Sequence, residues 1–108
     1  MEIKNLYAEI PDYFPKEIFN ILIHNNNLTL ERIVSCGQAS PEGEWYSQET
    51  NEWVILLGGS AGMSFEGESE EKVLYPGDYV FIPAYTKHRI EWTDKKQKTV
   101  WLALHFLD

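Results

Sequence analysis

The chain has 108 residues, enough for one hydrophobic core and too few for two. Apolar residues make up 44% and aromatics 14%, which excludes a disordered segment and predicts a packed globular domain. The formal net charge of −8, with acidic side chains spread along the chain, sets it against nucleic acid and anionic membrane surfaces as partners.

Cys36 is the only cysteine, so no disulfide and no cysteine-based zinc site can form within the chain. No apolar run approaches membrane-spanning length, and the first residues lack a basic-then-apolar pattern. A cytoplasmic protein is the expectation. Lys95, Lys96 and Lys98 make only a short basic turn, read as a solvated loop.

Taken in chain order, Pro11 and Pro15 interrupt any long helix near the start. From Pro15 to His24, Ile18, Phe19, Leu22 and Ile23 recur at helical spacing, which predicts a short amphipathic helix ended by Asn25-Asn26-Asn27. His24 then falls at the helix end as a capping or surface residue. After that the chain reads as strands: 28–35, then 44–48 and 52–57 as one strand interrupted by polar residues or two joined at Glu49-Thr50-Asn51, then 63–65, 72–75, 79–82, 88–92 and 99–106. Turns fall at Gly37–Gly43, Gly58–Gly62, the acidic stretch Glu66–Glu71, and Pro76-Gly77. Many short strands with regular turn signals predict an all-β sandwich or barrel. The expected organisation is an N-terminal segment with a short helix over 1–27 and a barrel over 28–108.

Alternation along the strands sorts their faces. In 88–92, His88, Ile90 and Trp92 share the face opposite Arg89 and Glu91, so His88 is expected to point inward. In 52–57 both rows are apolar apart from Glu52, which predicts a strand covered on both sides. In 99–106 the uniform row Val100, Leu102, Leu104, Phe106 is assigned to the interior, which turns Trp101, Ala103 and His105 outward. A one-residue slip would reverse that assignment. One carboxylate and one imidazole directed into a barrel make a candidate ligand site.

These residues resemble a cupin. Glu52 and Gly59 match the spacing of the first cupin motif, in which two histidines precede the glutamate; Tyr46 and Gln48 stand at the histidine positions. Gly77, Pro83 and His88 match the second motif in order and spacing, with Tyr85 where the family has glycine and Trp92 where it has asparagine. The resemblance covers about 28–106. It implies a double-stranded β-helix, the cupin jelly-roll barrel, often dimeric, with an internal pocket.

The resemblance implies Gln48, Glu52 and His88 as candidate ligands of a divalent metal such as manganese, iron, nickel or zinc. Glu52 and His88 also read as a proton-transfer pair, with Tyr46 as an acid or base. Alternatively, Tyr46, Gln48 and Glu52 satisfy His88 as a metal-free polar layer. Tyr46, Gln48 and Trp92 are candidate walls for a small organic ligand, with Trp92 read first as core filler. Three functions follow: a small-molecule-binding cupin, a metal-assisted isomerase, lyase or oxygenase acting on a small polar metabolite, and an interaction module. In the last, Trp53, Ile55 and Trp101 form an outer homodimer interface.

Overall fold

The structure, a computed structural model, describes all residues 1–108 and contains no helix. Eight strands follow one another: β1 (Ile18–His24), β2 (Leu28–Ser35), β3 (Asn51–Gly58), β4 (Ala61–Phe65), β5 (Lys72–Leu74), β6 (Tyr79–Ile82), β7 (His88–Thr93) and β8 (Thr99–Phe106). They form a five-stranded sheet, β1-β2-β8-β3-β6, facing a three-stranded sheet, β5-β4-β7, and every pair is antiparallel. This is a jelly-roll arrangement of two packed sheets.

The helix expected over Pro15–His24 is instead β1, a correction with a local cause. Ile18 to Ile21 pair in order with Val34 to Glu31, but the register slips between Ile21 and Ile23, leaving Leu22 as an extra residue. That bulge breaks the period of two halfway along the strand, and the remaining apolar spacing mimics a helix. The β-branched residues Ile18, Ile21 and Ile23 favour the extended chain. Asn25-Asn26-Asn27 is a hairpin loop rather than a helix end. Asn25 Oδ1 accepts from the backbone N–H of Asn27 (2.8 Å) and Leu28 (3.0 Å).

The main core lies between the sheets. Val54 and Leu56 of β3 and Trp101 and Ala103 of β8 meet Ala61, Met63 and Phe65 of β4, closed by Leu74 and Ile82. A second cluster lies on the outer side of the large sheet, where Phe14 packs on Val34 and Val100, with Ile10, Ile18 and Leu57 around it. Arg32 holds the N-terminal segment over that side. Its guanidinium donates to the carbonyls of Leu6 (2.8 Å) and Ala8 (2.7 Å) and to Asn20 Oδ1.

The final strand therefore has the opposite facing to that expected from its uniform row. Val100 is buried beneath the N-terminal segment, while Trp101 and Ala103 enter the barrel and carry His105 with them. Both faces of β8 are covered, so a hydrophobic count could not choose between them. Trp101 is thus no part of an outer interface. Beyond the reach of the N-terminal segment, the outer face keeps exposed aromatics. Tyr79 is tilted against Trp53 at a centroid distance of 5.3 Å, and Phe81 sits 6.2 Å from Phe106.

The turn between β3 and β4 needs its glycine. Gly59 has φ +77°, and a Cβ there would come within 2.7 Å of Thr99 Cα. This close approach brings β3 and β8 together at the apolar end of the barrel.

Candidate functional site

Antiparallel register places one residue from each of four strands at the same end of the barrel. Along the inner face of β3 the order is Glu52, Val54, Leu56; along β8, from its far end, it is His105, Ala103, Trp101; along β2 it is Thr29, Glu31, Ile33, Ser35, with Thr29 opposite His105 and Glu31 opposite Ala103. On β7 it is His88, then Ile90. In all four, the ionisable residue lies towards one end and an apolar residue is next inward, with Glu31 set one step deeper than His105. Glu52 pairs directly with His105 across β3 and β8. The result is a polar layer over an apolar floor, opening into a cavity of about 240 Å³. Glu17, Phe19, Tyr46 and Gln48 complete its wall, and Val54, Met63, Ile90 and Trp101 form the floor.

Two carboxylate–imidazole pairs occupy the layer. His88 Nε2 lies 3.6 Å from Glu52 Oε1, and the two side chains are 9% and 11% exposed. His88 Nδ1 donates to the Thr86 carbonyl at 3.0 Å, so the neutral ring keeps its lone pair on Nε2, towards Glu52. Gln48 Nε2 donates to the same Glu52 oxygen at 2.8 Å. In the second pair, His105 Nε2 meets Glu31 Oε1 at 2.9 Å. Glu17 accepts from the Ser35 hydroxyl, which in turn accepts from Trp101 Nε1 at 3.3 Å.

The electrostatics follow from these contacts. Burial pulls the His88 pKa down, but the contacts with Glu52 and Thr86 outweigh it and raise it from the ordinary histidine value. For His105 the bond to Glu31 is the largest influence; burial opposes it and Glu52 adds to it, and the net effect is again upward.

Tyr46, Gln48, Glu52 and His88 come together as the alternation implied. Tyr46 pairs with His88 through both backbone bonds, 2.8 and 2.9 Å, and its ring centroid lies 6.3 Å from the imidazole. The backbone N–H of Tyr85 donates to the Gln48 carbonyl, and Tyr85 takes φ +65° where the cupin motif has glycine. Trp92 does not join the site. β7 carries an extra residue against β4, so Gly62 faces Trp92 while Met63 faces Ile90. The bulge turns Thr93 inward and Trp92 outward. Trp92 Nε1 donates to Glu71 at 2.9 Å, and its indole lies so close over Gly62 that any side chain there would overlap it.

Sequence reasoning missed Glu31 and Glu17 and turned His105 outward. The signal for Glu31 was its alternation with Ile33, and for His105 the row Trp101-Ala103-His105.

A family model described as a cupin domain matches residues 34–105. A crystal structure from Ralstonia eutropha JMP134, named a "putative mannose-6-phosphate isomerase", is 44% identical, covers 100% of both chains, and superposes with a TM-score of 0.96. A cupin superfamily protein from Desulfitobacterium hafniense DCB-2 is 17% identical over 92% of this chain and 84% of its own, with a TM-score of 0.74. The polyketide cyclase RemF from Streptomyces resistomycificus is 19% identical over 87% of this chain and 67% of its own, with a TM-score of 0.72. The last two share the fold. No curated protein matches the chain.

Cupins commonly bind divalent metals, so the donor set must be compared with that chemistry. Glu52 and His88 are neighbours, but no three histidine, cysteine, aspartate or glutamate side chains are placed to hold a metal ion together. Gln48 turns its amide N–H towards Glu52, and His105 is engaged by Glu31. One imidazole and one carboxylate do not make a resident metal centre of the family's histidine-rich kind.

Because both histidine pKa values are raised in the fold, their stabilising effect is complete below pH 6.5, the ordinary value, and is lost as pH rises through the higher folded values. Melting temperature should therefore fall across that window. Glu31→Gln removes the share belonging to His105 and should flatten the profile. Identical pH profiles for the two proteins would contradict the pairing.

Proposed function

This chain belongs to the cupin family, and we propose that it binds an uncharged, hydroxyl-rich small molecule of hexose size and exchanges a proton with it through Glu52 and His88. The observation that carries this reading is the lining of the cavity. It presents three carboxylates, Glu17, Glu31 and Glu52, two imidazoles, and no lysine or arginine.

Size supports a metabolite. The cavity, about 240 Å³, is smaller than the roughly 300–1,000 Å³ of pockets for drug-sized ligands. Charge narrows the class further. A phosphate dianion would meet three carboxylates and no cation except imidazoles already facing carboxylates. Hydroxyl groups suit the same walls, since carboxylates accept from them and imidazoles can donate or accept. Phe19, Tyr46 and Trp101 offer aromatic surface for the C–H face of a sugar ring. The isomerase name carried by the Ralstonia protein agrees with sugar chemistry, though the cavity favours an unphosphorylated sugar.

Within this site His88 is set up to receive a proton. Thr86 holds Nδ1–H, leaving Nε2 open, and Glu52 stabilises the ring once it is charged. Gln48 orients Glu52. Tyr46 stands at the mouth beside His88 and offers its hydroxyl to the ligand.

The metal-assisted reading has one favourable observation. A histidine that donates Nδ1–H to a carbonyl presents Nε2 in the way metal ligands do.

Thermal shift separates the readings. D-mannose or D-fructose should raise the melting temperature of the wild type, by an amount that grows with concentration as about RT ln(1 + [L]/Kd). His88→Ala and Glu52→Gln should lose most of that shift, and mannose 6-phosphate should give less than the free sugars. A shift from the phosphate alone would contradict the proposed ligand. A shift from manganese, iron, nickel or zinc that disappears in His88→Ala would favour the metal.

The exposed aromatics around Tyr79 and Phe81 fit the face that a second copy would cover. We propose a homodimer through it. Sedimentation should show a dimer that Phe81→Lys converts to monomer; a wild type that is monomeric at all concentrations would refute this.

A further inference from the structure

We infer that Glu31 and His105 are a second proton-handling pair acting on the ligand that Glu52 and His88 hold, so that the site isomerises an uncharged hydroxy-carbonyl compound rather than merely binding it. This deepens, and rests on, the sugar-binding reading above.

The second pair has no evident structural task. Glu31 and His105 sit on the inner faces of β2 and β8, positions where the same strands otherwise carry Ile33, Ala103 and Trp101. Apolar residues there would extend the core, and a largely buried ion pair contributes little to stability relative to such packing. Their side chains remain 16% and 18% exposed, and both border the cavity. They therefore meet whatever occupies it.

The two pairs approach from different walls. Glu31 and His105 belong to the five-stranded sheet, as does Glu52, whereas His88 reaches in from β7 of the three-stranded sheet. Their free atoms are complementary. His88 has Nδ1 committed to Thr86, while Nε2 makes no hydrogen bond and lies 3.6 Å from Glu52 Oε1. The only hydrogen bond of the His105 ring is from Nε2 to Glu31, so Nδ1 is the atom left for the ligand. One ring can thus accept a proton at Nε2 while the other donates one from Nδ1. A charge on His105 opposes a second charge on His88.

The proton movements balance without a co-reactant. His88 Nε2 removes the proton from the carbon that bears a hydroxyl beside a carbonyl. The C–H electron pair becomes a carbon–carbon double bond. The carbonyl π pair moves to oxygen, which takes the proton from His105 Nδ1. The ligand is now an enediol, His88 is charged against Glu52, and His105 is neutral. In the second half, the hydroxyl on the original hydroxyl-bearing carbon returns a proton to His105 and its electron pair makes the new carbonyl. The double-bond pair takes the proton from His88 at the neighbouring carbon. Both pairs regain their first state, and the ligand has exchanged aldose for ketose form with no net redox change.

The test is hydrogen exchange into D-mannose and D-fructose in D2O, followed by proton NMR, alongside the hexose-induced thermal shift. Wild-type protein should introduce deuterium at the carbon next to the carbonyl and interconvert the sugars. His105→Gln and Glu31→Gln should each slow exchange by about 10²-fold or more while keeping a reduced hexose-induced shift, since Glu52 and His88 remain and an amide still bonds hydroxyl groups, and that shift also shows that they are folded. The double variant should be no slower than either single one. A hexose shift without exchange in the wild type, or undiminished exchange in the variants, overturns this inference and leaves the binding reading standing. The absence of any hexose shift refutes the binding reading and, with it, this one.

Discussion

The register between β2, β8 and β3 is the constraint on which the rest depends. It sets His105 level with Glu52 and places Glu31 one step further in, opposite Ala103, on the same wall, and the pairing of Tyr46 with β7 fixes His88 on the other side. A slip of one residue in any strand would send its ionisable group out to solvent and an aliphatic one into the layer. The apolar floor of Val54, Met63, Ile90 and Trp101 penalises such a slip, because each of those side chains would also leave the interior. The packing that stabilises the barrel thus aligns the site.

The polar layer is tolerable because its charges are matched within it. Glu52 receives Gln48 and faces His88, Glu31 faces His105, and Glu17 receives Ser35. No buried side-chain nitrogen or oxygen lacks a partner. The carboxylates raise the histidine pKa values, and the histidines offset the repulsion among the carboxylates. This mutual dependence distinguishes the chain from cupins with a histidine-rich first motif. Where the family places two histidines, Tyr46 and Gln48 supply a hydroxyl and an amide, and the second imidazole comes from β8 instead. The fold is shared, but the chemistry at its open end differs.

Much of this was legible in the sequence, for reasons that can be named. Glu52 and His88 stood out because each interrupts an otherwise apolar row in a strand bounded by clear turns. Six strands were read close to their final limits, since Gly58–Gly62 and Pro76-Gly77 punctuate the chain strongly. What failed was parity. The bulge at Leu22 made β1 look helical, and the bulge before Trp92 turned that indole outward. In β8 both rows are apolar because residues as distant as Phe14 cover the outer face. The inward direction of His105 is therefore a tertiary fact. Glu31 escaped notice for a related reason: its partner lies 74 residues away, and alone it reads as an ordinary surface charge.

The central claim is that two carboxylate–imidazole pairs share one cavity, with His88 open at Nε2 and His105 bound through Nε2 to Glu31. Long-range proton–nitrogen NMR of the histidine rings tests this most directly, in the wild type and in Glu31→Gln and Glu52→Gln. The account predicts a neutral His88 protonated at Nδ1. It also predicts a His105 that titrates above the ordinary value, falls when Glu31 is replaced, and responds to the loss of Glu52. A His88 protonated at Nε2, or a His105 that titrates at the ordinary value and ignores both substitutions, would contradict it.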